Sequence, residues 1–392
     1  MERIAVVAAA RTPIGKFQGG LSALTAVDLG AAAVTAALAR ARVAPGEVDE
    51  VLMGQARQLG SGPNPARQVA IKAGCGDGCV ATTINKACGS SLKAIDQARA
   101  AILLDGRKVV VAGGMESMTN IPFLLPNLRQ GWRLGHQEVK DGNYQDGFTC
   151  GILGEPMGMT AEYLADDYGI ARQLQDEFAL ESHQRGEAAQ KAGRFAAEIA
   201  PVTVAGRKGT VVVDTDEHVR HGVALADLQK LPPVFRPKTG TVHAGNSSGI
   251  TDGGAAVVLM PQSEVERRSL QPLAWLGASA TAGVPPRIMG IGPVPAVRAL
   301  LAKTGRALGD YDLVELNEAF AAQMLACLRD LPFDRQRLNV NGGAIALGHP
   351  IGATGARIVV TLLHELQRRG GRRGLATLCM SGGMGMALEF ER

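Results

Sequence analysis

The sequence predicts an α/β fold built from two similar halves, and three observations carry that reading. Apolar residues make up 46% of the 392 residues and charged residues 20%, ordinary globular values that exclude disordered, collagen-like and coiled-coil classes. Glycine is abundant, at 50 residues, while aromatics are only 4%, a composition suited to helices lying close on sheets and to loops that approach ligands. Finally, one order of elements is read twice along the chain.

The first reading runs through a helix over 27–41, an apolar run from Val48 to Gln55, the segment Thr83 to Cys88, a helix over 90–104 and a strand from Val109 to Gly114. The second runs through a helix over 294–307, an apolar run from Tyr311 to Glu318, a glycine-rich turn holding His349, a helix over 354–367 and a strand from Leu375 to Cys379. Short apolar runs alternating with helical periods predict mostly parallel sheets covered by helices. Between the halves, from about residue 119 to 249, periodicity weakens and Pro122, Pro126, Gly131 and Gly135 interrupt it. A clear amphipathic helix follows near 172–192. This stretch reads as a long insertion with its own folding. The division expected is 1–268 for the first half, with an inserted loop domain at about 119–249, and 269–392 for the second.

Several function classes drop out early. The formal charge is only +4 and no long run of like charges occurs, so no nucleic-acid partner is expected. The most apolar long stretch, 23–45, is broken by Asp28, Arg40 and Arg42, so it reads as a buried helix and no membrane partner is expected. Six cysteines do not make a disulfide framework, and the chain enters a strand-like run without an apolar leader. A cytoplasmic, reducing compartment is the expectation. Cys75 and Cys79 are spaced like half of a metal site but lack a second pair, so no metal is expected.

Chemistry gathers at four places. Cys88 ends a strand and precedes Gly89-Ser90-Ser91 and a helix, which places its sulfur at a helix N-terminus, where the dipole favours thiolate. A small buried hydrophobe is the competing reading. His349 lies in a stretch of unusual glycine content, Asn339 to Ala356, with Pro350 fixing the chain after the imidazole. A phosphate-binding loop would also use such glycines, but the stretch has no lysine and no P-loop spacing, which favours a general base or an oxyanion donor. Cys379 ends the last apolar run before Met380-Ser381-Gly382-Gly383, and Asn317-Glu318-Ala319-Phe320 ends another. The repeat brings all four to one sheet edge.

These motifs, in this order, resemble those of the thiolase family. The resemblance covers nearly the whole chain, including Arg11 to Gly15, Asn64 to Gln68, the Cys88 segment, Gly113 to Met118, Asn246 to Gly254, Asn317 to Phe320, the His349 loop and the Cys379 turn. It implies the thiolase fold, with the two halves packed as α-β-α-β-α layers. It also implies that Cys88 holds the acyl group as a covalent intermediate, that His349 takes the Cys88 proton, and that Cys379 is acid or base at the α-carbon. Asn317 would position a water that completes one oxyanion hole with His349, while the N–H groups of Cys88 and Ser381 form the other.

For CoA, the resemblance points to Ser248, Arg220, Met157 and Phe320. It implies acetyl-CoA, CoA and 3-ketoacyl-CoA as substrates and products, no resident cofactor, and a homodimer or homotetramer whose second contact uses the loop 124–144. The chain departs from the family pattern at Ser91 and Ser381, where glycine is usual, which suggests a narrower pocket. It departs again at Pro156, where enzymes devoted to acetoacetyl-CoA place His. Two other readings are a catalytically silent acyl-CoA or lipid carrier on the same scaffold and a ketosynthase-type condensing enzyme. The presence of Cys88, His349, Cys379 and Asn317 together argues against the carrier, and Cys379 against the ketosynthase.

Overall fold

A computed structural model describes residues 2–206 and 209–392; Met1, Arg207 and Lys208 lie outside it. The strands form one continuous ten-stranded sheet made of two similar halves joined at an edge, with Gly15–Lys16 as a short tenth strand against Thr251–Pro261. In the first half, Val80–Ile84, Glu50–Gly54 and Val110–Ser117 run parallel, followed antiparallel by Thr251–Pro261 and Ile4–Arg11. In the second, Leu313–Leu316 is parallel to Arg373–Met380, followed antiparallel by Met384–Glu391 and Ala274–Gly283. A single parallel bridge from Val314 to Leu338 stands where the first half has its outermost strand. The halves meet through Ile4–Arg11 and Ala274–Gly283.

The sheets are therefore mixed, which corrects the expectation of mostly parallel pairing. Both faces of the inner strands Ile4–Arg11, Val110–Ser117, Thr251–Pro261 and Arg373–Met380 are buried almost throughout, so apolar residues run continuously and sequence gives no sign of strand direction. In Thr251–Pro261, Ala255, Val257 and Leu259 face one core while Ala256, Val258 and Met260 face another. The shared inner core takes in Leu92, Ile95 and Ala98 of the helix Ser90–Leu103 and Ile358, Leu362 and Leu366 of the helix Thr354–Arg369. Those two helices form the central layer. Ala26–Ala41 covers the outside of the first sheet and Pro293–Thr304 with Ala321–Asp330 the outside of the second. The layers are α-β-α-β-α.

Helix ends are fixed locally. Thr25 and Asp28 form a reciprocal capping box at Ala26–Ala41, and Gly305 and Gly370 end two helices with left-handed backbone. Between Val110–Ser117 and Thr251–Pro261 the chain leaves the sheet and builds the helices Met157–Asp167 and Arg172–Lys191 and a hairpin of Val202–Gly206 with Gly209–Val213. Arg11 pins this excursion to the end of the first strand. Its fully buried guanidinium donates to Glu198 at 2.7 Å and to both oxygens of Asp216 at 2.7 and 2.8 Å.

Candidate active site

The turn that presents Cys88 is held by its own neighbours. Ala87 sits at φ 48°, a left-handed conformation kept by the Asn85 Oδ1 acceptor on its N–H and by Ser90, whose hydroxyl donates to the Ala87 carbonyl at 2.6 Å. The helix begins at Ser90, directly after Gly89. The N–H groups of Ser381 and of Cys88 itself donate toward the sulfur, and the Arg57 charge also favours thiolate. Burial opposes them and wins, pushing the Cys88 thiol up to about 11. Desolvation by the segments that close over the sulfur thus opposes the helix end, which favours thiolate.

His349 is equally well positioned. Its N–H donates to the Gly249 carbonyl at 3.0 Å, and its ring Nδ1 lies 2.6 Å from the Thr354 hydroxyl oxygen. That hydroxyl donates its one proton to the Pro350 carbonyl at 3.0 Å, so the hydrogen-bond network assigns the ring proton to Nδ1 and leaves the Nε2 lone pair free. Burial, with the charges of Arg357 and Arg57, holds His349 down to about 3, so the ring is a neutral base.

Cys88, His349 and Ser381 line one cavity of about 850 Å³. Cys379 is fully buried behind its wall, packed with Met289 and Ala319, and burial pushes its thiol well up. Asn317 is tied through its N–H to the Thr377 carbonyl at 3.0 Å, two residues from Cys379. Both polar atoms of its buried side-chain amide lack a protein partner, the condition under which a bound water is retained. Ser248, Arg220, Met157 and Phe320 line the same cavity, Arg220 as an exposed cation at its rim.

The two departing serines behave differently. Ser91 is fully buried and turned away from the cavity, accepting the Ala356 N–H at 2.9 Å and so satisfying a free donor in the first turn of the opposite central helix. It does not narrow the pocket, contrary to expectation. Ser381 does line the cavity, as does Pro156.

A duplicated five-layer α/β fold with two cysteines, a histidine and an asparagine gathered at its strand ends defines a protein of thioester acyl-transfer architecture. The chain belongs to the thiolase family: the thiolase N-terminal domain matches residues 4–263 and the thiolase C-terminal domain residues 270–392. It is 52% identical over 389 residues to the acetyl-CoA acetyltransferase of Rhizobium meliloti, covering 99% of this chain and 98% of that one. Among solved structures it resembles the Bacillus anthracis acetyl-CoA acetyltransferase, at 45% identity and TM-score 0.97. It also resembles the human mitochondrial 3-ketoacyl-CoA thiolase, at 43% identity and TM-score 0.95. Each match covers 100% of this chain and 99% of the other.

Sequence reasoning missed three residues of this site. Thr354 orients His349, and its signal was only its place five residues on, at the start of a helix. Arg57 and Glu116 are buried together beside the cavity, each at or just beyond a strand end where functional groups collect.

Proposed function

We propose that this thiolase catalyses reversible acetyl transfer between CoA thioesters, either thiolysis of a 3-ketoacyl-CoA or condensation of two acetyl-CoA molecules. The observation that carries the reading is the single cavity lined by the Cys88 thiol and the neutral His349, with Cys379 immediately behind it. In thiolysis His349 Nε2 takes the Cys88 proton, and the sulfur attacks the C3 carbonyl. The C2–C3 bond breaks with its electron pair on C2. The resulting enolate oxygen is held by the His349 Nε2–H and an Asn317-bound water, and C2 takes a proton from Cys379, releasing acetyl-CoA. The Cys379 thiolate then takes the proton of free CoA, whose sulfur attacks the acyl group on Cys88 with the oxyanion held by the Cys88 and Ser381 N–H groups; the C–S bond to Cys88 breaks, and the departing sulfur recovers the proton that His349 carried. Ser248, Met157 and Phe320 line the path for the pantetheine arm and Arg220 meets its phosphates.

The reaction needs no resident cofactor, since each step uses a side chain or the substrates. Domain division at about residue 268, with 119–249 inserted, accompanies this reading, as does a cytoplasmic location. Among the described residues no helix is long and apolar enough to cross a membrane. Assembly into a dimer or tetramer is supported by the loop 124–144, where Leu128, Trp132 and Leu134 are exposed. Light scattering at the monomer mass would remove that part.

The deciding experiment is thiolysis of 3-ketoacyl-CoA substrates from four carbons upward, beside Cys88→Ala. Loss of all cleavage in the variant supports the covalent route; retained cleavage overturns it.

A further inference from the structure

Arg57 follows the strand Glu50–Gly54 and lines the cavity with Cys88, Gly147 and Phe148. Its residue is 1% exposed. A buried guanidinium ordinarily sits against carboxylates, as Arg11 does, because an unpaired internal charge is costly. Among the described residues Arg57 forms no ion pair. Nη1 donates to Asn143 Oδ1 at 2.8 Å and Phe148 stacks 4.2 Å from Cζ, but Nε and Nη2 have no acceptor. Glu116, the nearby carboxylate, is already engaged by the N–H groups of Ala56, Arg57 and Gly352 at 3.1, 3.2 and 2.8 Å. Burial lowers the pKa of the Arg57 guanidinium even against the opposing charges of Glu116, Asp141 and Asp146, so its charge is under-compensated.

The two free donors form one edge of the guanidinium, the edge that takes both oxygens of a carboxylate side-on. Gly147 stands at that edge. A Cβ there would lie 2.0 Å from Nε and 2.1 Å from Nη2, so only a residue without a side chain fits against the two donors, and it brings them no side-chain acceptor. Gly147 belongs to a π-helical turn, Tyr144–Phe148, a geometry found often at functional sites.

We infer that Arg57 makes this cavity a receptor for acyl groups that end in a carboxylate, docked on its Nε–Nη2 edge in the place Gly147 holds here. The inference rests on the acyl-transfer reading and names its substrate class: 3-oxo-dicarboxylyl-CoA thioesters. Cleavage between C2 and C3 leaves the terminal carboxylate on the group that passes to Cys88 and then to CoA, while acetyl-CoA departs with a proton on C2. The products are acetyl-CoA and a dicarboxylyl-CoA shorter by two carbons.

The test compares kcat/KM for 3-oxoadipyl-CoA and 3-oxohexanoyl-CoA, equal in acyl length, in the wild-type protein, Arg57→Leu and Arg57→Lys. The wild-type ratio is expected to favour the carboxylated substrate at least about tenfold, and Arg57→Leu to lower it by a similar factor, mainly through KM. Arg57→Lys keeps the charge without the side-on edge and is expected to fall between. A wild-type ratio at or below one, or a ratio unchanged in Arg57→Leu, overturns the inference. Should Arg57→Leu fail to fold, the wild-type ratio and Arg57→Lys still decide. Cleavage of the neutral one alone, or of neither, overturns the inference; acetoacetyl-CoA cleavage in the same assay then decides whether the acyl-transfer reading stands.

Discussion

Burial disfavours charge on both Cys88 and His349, which line one cavity. Inactivation of Cys88 by iodoacetamide is therefore expected to accelerate about tenfold per pH unit between 7 and 10, since the thiolate is the reacting form. A plateau already below pH 8 would mean a thiolate–imidazolium pair instead. Thr354 acts through His349, holding its proton on Nδ1 and freeing Nε2. Thr354→Val is expected to lower kcat for thiolysis by about tenfold to a hundredfold, within the range of general-base effects. Thr354→Ser should restore it. An unchanged kcat in the valine variant would show that the ring is oriented by other contacts.

At the scale of elements, the site depends on how closely the two central helices approach. A Cβ on Gly355 would fall 2.4 Å from the Leu92 backbone nitrogen, and backbone cannot give way as a flexible side chain can. Gly355→Ala is expected to destabilise the fold by about 2 kcal/mol, read from the urea midpoint. It should also slow thiolysis, because the first turns of these helices carry Ser90 and Ser91 on one side and Thr354 on the other. Unaltered stability would show that the helices can shift apart freely. Ser91 adds to the same contact, and Ser91→Ala leaves the Ala356 N–H buried without an acceptor, at a cost of about 1–3 kcal/mol.

For the whole molecule, buried histidines set the acid limit. His349 and His183 are lowered to about 3 and about 4 by burial, from an unfolded value of 6.5. Folding favours their neutral forms, so their stabilisation is complete above pH 6.5 and is lost as pH falls through the folded values. Each contributes up to about 1.4 kcal/mol of lost stability per pH unit in that window. The urea midpoint is expected to fall steeply between pH 6.5 and 4, and His183→Gln to flatten part of that slope. A midpoint constant over this range would show that both histidines find compensating partners when protonated.

The duplicated order and the placing of Cys88, His349, Cys379 and Asn317 at element ends were legible in sequence because each is written in a local pattern, a helical period, an apolar run or a glycine-rich turn, whereas the five layers followed only from the resemblance to thiolases. The pairing direction of the strands was not legible, since a strand buried on both faces reads alike whether its neighbour runs with it or against it. The protonation state of Cys88 was not legible either. A helix N-terminus can be seen in neighbouring residues, but desolvation comes from the distant segments that close over the sulfur. Ser91 looked like a pocket residue until the opposite helix supplied the N–H it accepts. Arg57 carries no local signal, because its free edge exists only where residue 57 meets residues 143, 147 and 148. Sequence alone determined the scaffold and the candidate groups gathered at its strand ends. Tertiary packing decided how far burial weighs against charge on them and which donors stay unmet, because desolvation and unmet hydrogen-bond donors belong to places where remote segments come together.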